Sequence, residues 1–520
     1  MSSALTARPS TATGDASDNA PGKAPGTASG KATGTAPGNV PGTAGTAAST
    51  TAPGAEAATG APRGLLAVVL TATFMTALDF FVVNVAVPSV QADLGAGPAA
   101  VQWVIAGFSL ALAAGLVTAG RLGDRYGRRR VFGLGLALFT LASAGCGLAP
   151  TAAALVGARV VQGLAAALMG PQVLAILRTA FSGAAQARAF ARYGLTMGVG
   201  AVFGQLIGGL LIRADLFGLG WRSCFLINLP IGLAALALVR RCLPESRAPQ
   251  RPGLDPVGVL LVTTALTALV LPLIQGPAQG WPLWTWLCLG GAVALLAGFV
   301  AHQHRTRTRA TAHDSGSAAP LIDTRLFRTR AFGAGLLAQL AFWLGQASFF
   351  LVLALYLQLG RGLDALGAGL VFTAIGLGYL LTSNATHRVA ARLGGARTIT
   401  VGGLLMAVGL GLLALAVYGA PGGSVWWLTP GLFVDGLGMG LVIAPVTSVV
   451  LAGVEPQLVG SAAGVLATVQ QVGGALGIAL IGLLYYGGGD PAAAFGRSVT
   501  ALAALELVLV GLVRLLPRKG

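Results

Sequence analysis

Fourteen stretches of the chain are apolar over close to the roughly 20 residues that a helix needs to cross the hydrocarbon layer of a bilayer. They run over 65–87, 102–120, 131–149, 152–174, 190–212, 223–243, 256–275, 284–302, 332–357, 366–384, 398–419, 427–451, 461–486 and 496–515. Hydrocarbon offers the backbone no water, and a helix satisfies its own N–H and C=O groups. The pattern therefore predicts an all-α membrane protein with fourteen transmembrane helices. Charge supports this, since only 9% of the 520 residues are Asp, Glu, Lys or Arg, against about 25% in a soluble domain. Residues 1 to about 63 are loose Ala, Gly, Thr, Ser and Pro repeats, too poor in apolar side chains to build a core, and are expected to form a disordered cytoplasmic tail. The first apolar stretch begins near Leu65, too far along for a signal peptide, so it is read as a retained span.

The formal charge of +17 could point to nucleic acid, but its placement points elsewhere. With these spans, Arg213, Arg222, Arg361 and Arg497 fall on one side of the bilayer and nearly all other basic residues on the opposite side. Loops rich in Arg and Lys stay in the cytoplasm, so both termini are expected there, and the expected partner is the lipid bilayer of a bacterial cell membrane. Cys146, Cys224, Cys242 and Cys288 show no CxxC spacing and read as small hydrophobes. The three lysines, Lys23, Lys31 and Lys519, are not followed by Ser or Thr, so there is no phosphate-cradling P-loop. No HExxH, GxSxG or Cys/His cluster appears, and neither a cofactor, a metal nor an enzymatic activity is expected.

The densest charge inside the apolar region is Gly120 to Arg130, reading GRLGDRYGRRR, a short basic turn between the second and third stretches. Gly120, Arg121, Asp124, Arg125, Gly127 and Arg128 stand there in an order that resembles the signature loop of the major facilitator superfamily of secondary transporters. The resemblance implies that Asp124 and the arginines form ion pairs that lock one half of the molecule against the other, with the two glycines turning the backbone. Sliding the sequence by 267 residues lays Arg121 on Arg388, Arg125 on Arg392, Gly127 on Gly394 and Arg130 on Arg397. Such an echo fits two repeated halves. We expect a first six-helix half at 64–243, two inserted helices at 244–303, a connection at 304–331, a second six-helix half at 332–516 and a short tail at 517–520. Fourteen spans resemble the drug:proton antiporter branch of that superfamily.

Ionisable residues inside spans are costly and mark pathways or partners. Asp79 and Asn84, with Ala86 and Pro88, resemble the first-span motif of that branch, although Phe81 stands where Thr is usual. Arg159 and Gln162, three apart on one helix face, resemble the fourth-span motif, in which the arginine faces the cavity and influences an acid. Gly200, Gly204 and Gly208 recur every fourth residue and resemble the exporter motif of the fifth span, with Gln205 where Pro usually follows the glycine. Trp221-Arg222 with FLINLPIG, and Leu254 to Gly258, resemble further markers of the branch without evident chemistry. In the second half Asp435 is flanked by Gly436, Gly438 and Gly440, and is either a second proton carrier or an acid near the outer interface. Gln339, Gln346, Gln358, Gln470 and Gln471 could line a cavity or join helices, and Glu506 in the last span reads as peripheral.

The resemblance implies a monomeric, proton-coupled exporter of drug-like or antibiotic small molecules that works by alternating access. Two rivals remain open at this level: a proton-coupled carrier of one metabolite such as an amino acid or siderophore, and a non-transporting membrane sensor with the same fold.

Overall fold

The computed structural model describes residues 64–247, 253, 255–312, 324–420, 422–452, 454–455, 458–487 and 489–515. The tail 1–63, residues 313–323 of the connection and the last residues 516–520 lie outside them. Among the described residues there is no strand, and fourteen helices are long and apolar enough to cross a membrane. In chain order we number them spans 1 to 14: Leu65–Leu94, Pro98–Leu116, Arg128–Gly147, Ala152–Ala180, Gly183–Ala214, Gly220–Cys242, Pro256–Gln275, Leu283–Thr306, Ala331–Gly360, Ala365–Leu393, Gly395–Gly419, Val425–Leu451, Ser461–Tyr486 and Pro491–Val513. Several outrun their apolar stretch, because helical hydrogen bonding continues past the hydrocarbon wherever no Gly or Pro stops it.

Packing repeats between the halves. In the first half, span 4 packs on spans 2 and 3, span 5 on span 1, and span 6 on spans 1 and 3. Eight positions later in span number the same pairs recur: span 12 on spans 10 and 11, span 13 on span 9, and span 14 on spans 9 and 11. The halves meet along two seams, span 5 on span 10 and span 2 on span 13, which exchange under the same relation. Spans 7 and 8 form a hairpin whose first member rests on spans 2 and 13.

Small residues permit these approaches, since lipid supplies no hydrophobic drive between helices. Along the 5/10 seam a Cβ at Gly369 would stand 2.8 Å from the Gln205 carbonyl oxygen, and one at Gly209 would collide with the Ala365 carbonyl. The bonded bridges between halves gather at the end of the bundle away from the basic loop. There Arg213 pairs with Asp364 at 2.9 Å, and Gln358 Nε2 donates to the Val85 carbonyl at 3.0 Å.

Candidate functional site

The first half holds a buried polar cluster at the centre of its helices. Asp79 on span 1 and Arg159 and Gln162 on span 4 each show 0% exposure. An Arg159 NH donates to Asp79 Oδ2 at 2.5 Å, and the same nitrogen donates to Gln162 Oε1 at 2.7 Å. Gln162 Nε2 donates to Asp79 Oδ1 at 2.8 Å and to Ser143 Oγ at 2.7 Å. Asn228 Nδ2 on span 6 reaches Asp79 Oδ1 at 3.1 Å. Arg159 Nε is satisfied by the Val104 carbonyl at 3.0 Å, and the guanidinium lies 4.3 Å from the Phe108 ring centre. Opposite charges share one site, and Asp79 accepts three hydrogen bonds there, from Arg159, Gln162 and Asn228, the support under which a buried pair is tolerable.

Asn84 does not join that cluster. Its amide nitrogen turns back to the carbonyls of Phe80 and Phe81 on its own helix, at 3.4 and 3.2 Å. Gly200, Gly204 and Gly208 form one stripe against span 1: a Cβ at each would stand 2.7 Å from Ala77 Cβ, 2.9 Å from Phe81 Cβ and 2.6 Å from Val82 Cγ2.

The basic loop is more helical than its sequence suggests. The second helix runs on from Pro98 to Tyr126, the third starts at Arg128, and the break is the single residue Gly127, whose φ of 111° favours glycine. Gly120 lies within the helix and turns nothing, because the helix needs no glycine until its end. Asp124 pairs with Arg128 at 2.9 Å, and the Arg129 amide donates to Glu245 Oε1 at 3.2 Å, just past span 6. These partners lie beside the first half itself. Arg125 lies 5.7 Å from the Tyr126 ring centre. An Arg121 NH donates to the Gly253 carbonyl at 3.0 Å, which ties the loop to the inserted hairpin. Asp255, next to it, accepts from the Gly258 amide at 2.8 Å and from Gln303 Nε2 at 2.7 Å, and lies 2.9 Å from His302 Nε2. Burial opposes its charge, but the Gly258 amide and the His302 and Gln303 contacts prevail and hold its carboxyl below the usual range.

The second half echoes the first with different chemistry. Asp435 on span 12 and Glu506 on span 14 occupy the spans equivalent to those of Arg159 and Asn228, and they are 0% and 1% exposed. Among the described residues, no hydrogen-bond partner reaches either oxygen of Asp435 or Oε2 of Glu506. Gly345 on span 9 makes room for Glu506, whose Oε1 would be 3.0 Å from a Cβ there. Thus Asp435 and Glu506 are both buried among the helices of the second half. The flanking glycines serve close packing: a Cβ at Gly436 would strike the Ile375 carbonyl, and one at Gly438 the Gly402 carbonyl.

A small chamber of about 10 Å³ lies on the 5/10 seam, lined by Val202 and Gln205 of the first half and Phe350, Phe372, Tyr379 and Met439 of the second. Two facing helical halves with a chamber between them, a buried acid–arginine pair and the signature loop together describe a secondary transporter. The sequence profile of the Major Facilitator Superfamily matches residues 69–478. The chain belongs to that superfamily. Relatives within it include a probable actinorhodin transporter of Streptomyces coelicolor, 42% identical over 423 residues, which are 81% of this chain and 72% of the relative. A tetracenomycin C resistance and export protein of Streptomyces glaucescens is 35% identical, with 83% of this chain and 77% of the relative covered. A cephamycin export protein of Amycolatopsis lactamdurans is 35% identical, with 87% and 92% covered. Among solved structures, a POT family transporter bound to a thioalcohol-conjugated peptide superposes with a TM-score of 0.65 at 16% identity, covering 87% of this chain and 96% of that one. The E. coli xylose transporter in a partially occluded, inward-open conformation gives 0.59 at 14%, covering 88% and 99%. These structural likenesses concern the fold.

Sequence reasoning missed Ser143 and Asn228 as cluster members and passed over Asp255, His302 and Gln303. The available signals were an Asn inside the apolar FLINLPIG run and an Asp set one residue before a helix-opening Pro.

Proposed function

We propose that this chain exports drug-like or antibiotic small molecules across the cell membrane in exchange for protons, its two halves rocking about the chamber between them. The cargo class is supported by the relatives, which are 33–42% identical and named as exporters or resistance proteins for antibiotics and other drugs. The end bearing the basic loop is taken as cytoplasmic, on the positive-inside rule, and no catalytic step is assigned. The coupling rests on one observation: each half buries a carboxyl among its helices, Asp79 paired with Arg159 in the first and, among the described residues, Asp435 without an ion-pair partner in the second.

The division of labour follows from that contrast. Asp79, Arg159 and Gln162, with Asn228, keep the first half's charge neutral and its spans 1, 3, 4 and 6 in register. Asp435 and Glu506 have no such support. A carboxyl in apolar surroundings is far less costly neutral than ionised and unpaired, which suits groups that take up and release protons as the chamber changes sides. The Asp124 loop and the Gly200–Gly204–Gly208 stripe hold the first half rigid during that motion. One proton moving down about 100 mV contributes about 2.3 kcal/mol, and one pH unit adds about 1.4 kcal/mol. Together they sustain a cargo gradient on the order of several hundredfold.

A growth-inhibition panel in cells expressing the chain, with and without a protonophore, tests the reading. Export predicts raised tolerance to several unrelated compounds that the protonophore removes. Tolerance confined to one natural metabolite, or to none, contradicts it.

A further inference from the structure

The outer surface of the first half ends in an unbalanced cluster of guanidinium groups. Spans 3 and 6 pack against each other: a Cβ at Gly133 would rest 3.5 Å from Val239 Cγ1, and one at Gly232 would strike Thr140. Their further packing is on spans 1, 2, 4 and 5, all of the first half, so their free faces turn toward lipid. On span 3 that face carries Arg130, Leu134 and Leu141, and on span 6 it carries Leu233, Ala237, Arg240 and Arg241, each set at helical spacing and exposed. Each apolar stripe therefore closes in arginine at the end of the bundle that bears the basic loop, where headgroups begin. The carboxylates there do not balance the arginines. Glu245 Oε2 lies 3.7 Å from Arg129 Nε and 3.6 Å from Arg130 Nε, yet 66% of the Arg130 side chain is exposed, and Asp124 is taken by Arg128. Among the described residues neither Arg240 nor Arg241 has an ion-pair partner.

We propose that Arg130, Arg240 and Arg241 bind the phosphate of an anionic phospholipid whose acyl chain lies over Leu134, Leu141 and Leu233. Guanidinium forks hold phosphate oxygens in pairs, and a basic cluster at the end of a transmembrane helix attracts anionic lipid. The occupant is a lipid and not a soluble anion because charge and exposed leucine are continuous on both helices, and a chain laid on those leucines adds apolar contact that free phosphate lacks. Arg129 and Arg130 also meet Glu245, so the bound headgroup joins the contacts that fasten the start of span 3 to the end of span 6. The site lies apart from the chamber and does not depend on what the chain transports.

The full chain in detergent micelles is titrated with lipid, and bound species are counted by native mass spectrometry. The probes are dioleoyl phosphatidylglycerol, dioleoyl phosphatidylcholine, which has the same chains under a headgroup of no net charge, and inorganic phosphate. Phosphatidylglycerol is expected to stay bound where phosphatidylcholine is lost, and excess inorganic phosphate does not displace it. Each arginine near an anionic surface contributes about fivefold, so Arg130→Gln/Arg240→Gln/Arg241→Gln lowers phosphatidylglycerol affinity roughly a hundredfold. Phosphatidylcholine binding by this variant is unchanged. Arg388→Gln/Arg392→Gln/Arg397→Gln, which removes equal charge from exposed positions of the second half, changes phosphatidylglycerol binding little. In the unaltered chain, phosphatidylglycerol with a photoactivatable diazirine in its acyl chain labels peptides of spans 3 and 6, a readout that needs no variant. Phosphatidylcholine held as well as phosphatidylglycerol, displacement by inorganic phosphate, no loss in the first triple variant, equal losses in both, or labelling spread evenly over the spans would each overturn the proposal.

Discussion

Replacing Arg159 by Met removes the cation from the first-half cluster while keeping a long apolar side chain. The change deletes the 2.5 Å contact to Asp79, the 2.7 Å bond to Gln162 Oε1 and the 3.0 Å bond to the Val104 carbonyl. Asp79, with no exposure, then keeps only the neutral donors Gln162 and Asn228, at 2.8 and 3.1 Å. Stranding one member of a buried ion pair costs about 3–5 kcal/mol. At about 1.4 kcal/mol per tenfold, the folded-to-unfolded ratio falls by roughly two to four powers of ten. Adding Asp79→Asn removes the stranded charge and leaves an amide that still bonds Gln162 and Asn228, so the double variant costs only about 1–2 kcal/mol, the scale of the remaining lost hydrogen bonds. The assay is unfolding in mixed micelles of rising denaturing-detergent content, read as a double-mutant cycle. A coupling energy near zero, or a single-variant cost below about 1 kcal/mol, would refute the argument that the pair is a closed electrostatic unit. Both single variants insert normally and confer no resistance in the growth panel.

Asp435→Asn and Glu506→Gln retain or raise thermal stability in detergent, because neither parent carboxyl has a cationic partner to lose, while resistance falls to background; a fall in stability with resistance intact would reverse their assigned role. Gly208→Leu forces a Cβ to within 2.6 Å of Val82 Cγ2, and overpacking of this kind costs about 1–3 kcal/mol, visible as a lowered melting midpoint. Asp255 gives a pH test. Its folded carboxyl is held below the ordinary range, so its stabilising contribution is present above that range and is lost as pH falls through the folded value. Corrected for the intrinsic pH dependence of amide exchange, protection at the start of span 7 should therefore fall on acidification in the unaltered chain and lose that dependence in Asp255→Asn.

The spans were legible because hydrocarbon imposes a length and a composition that a window of sequence displays directly. Asp79, Arg159 and Gln162 were legible as candidates for the same reason, since a charged or amide side chain stands out in an apolar run. Their mutual contacts were not, because Asp79 and Gln162 are 83 residues apart and nothing local encodes which helix faces meet. Asn84 shows the converse: it sits in the same motif as Asp79, five residues along, yet faces its own backbone. Gly120 misled because a glycine beside charge reads as a turn, whereas the helix there simply continues to Tyr126. Glu506 was discounted from its place in the last span, but span 14 packs on spans 9 and 11, which buries one of its faces.

Proton flux measured together with cargo flux is the most direct test of coupling. The full chain is reconstituted in sealed vesicles containing a pH-sensitive dye, an inward or outward pH gradient is imposed, and ethidium is added as the cargo probe. Coupled exchange predicts ethidium movement against its gradient matched by proton movement the other way, both lost in Asp435→Asn/Glu506→Gln and on adding protonophore. Ethidium movement that ignores the pH gradient, or proton movement that the double variant leaves unchanged, would contradict the account.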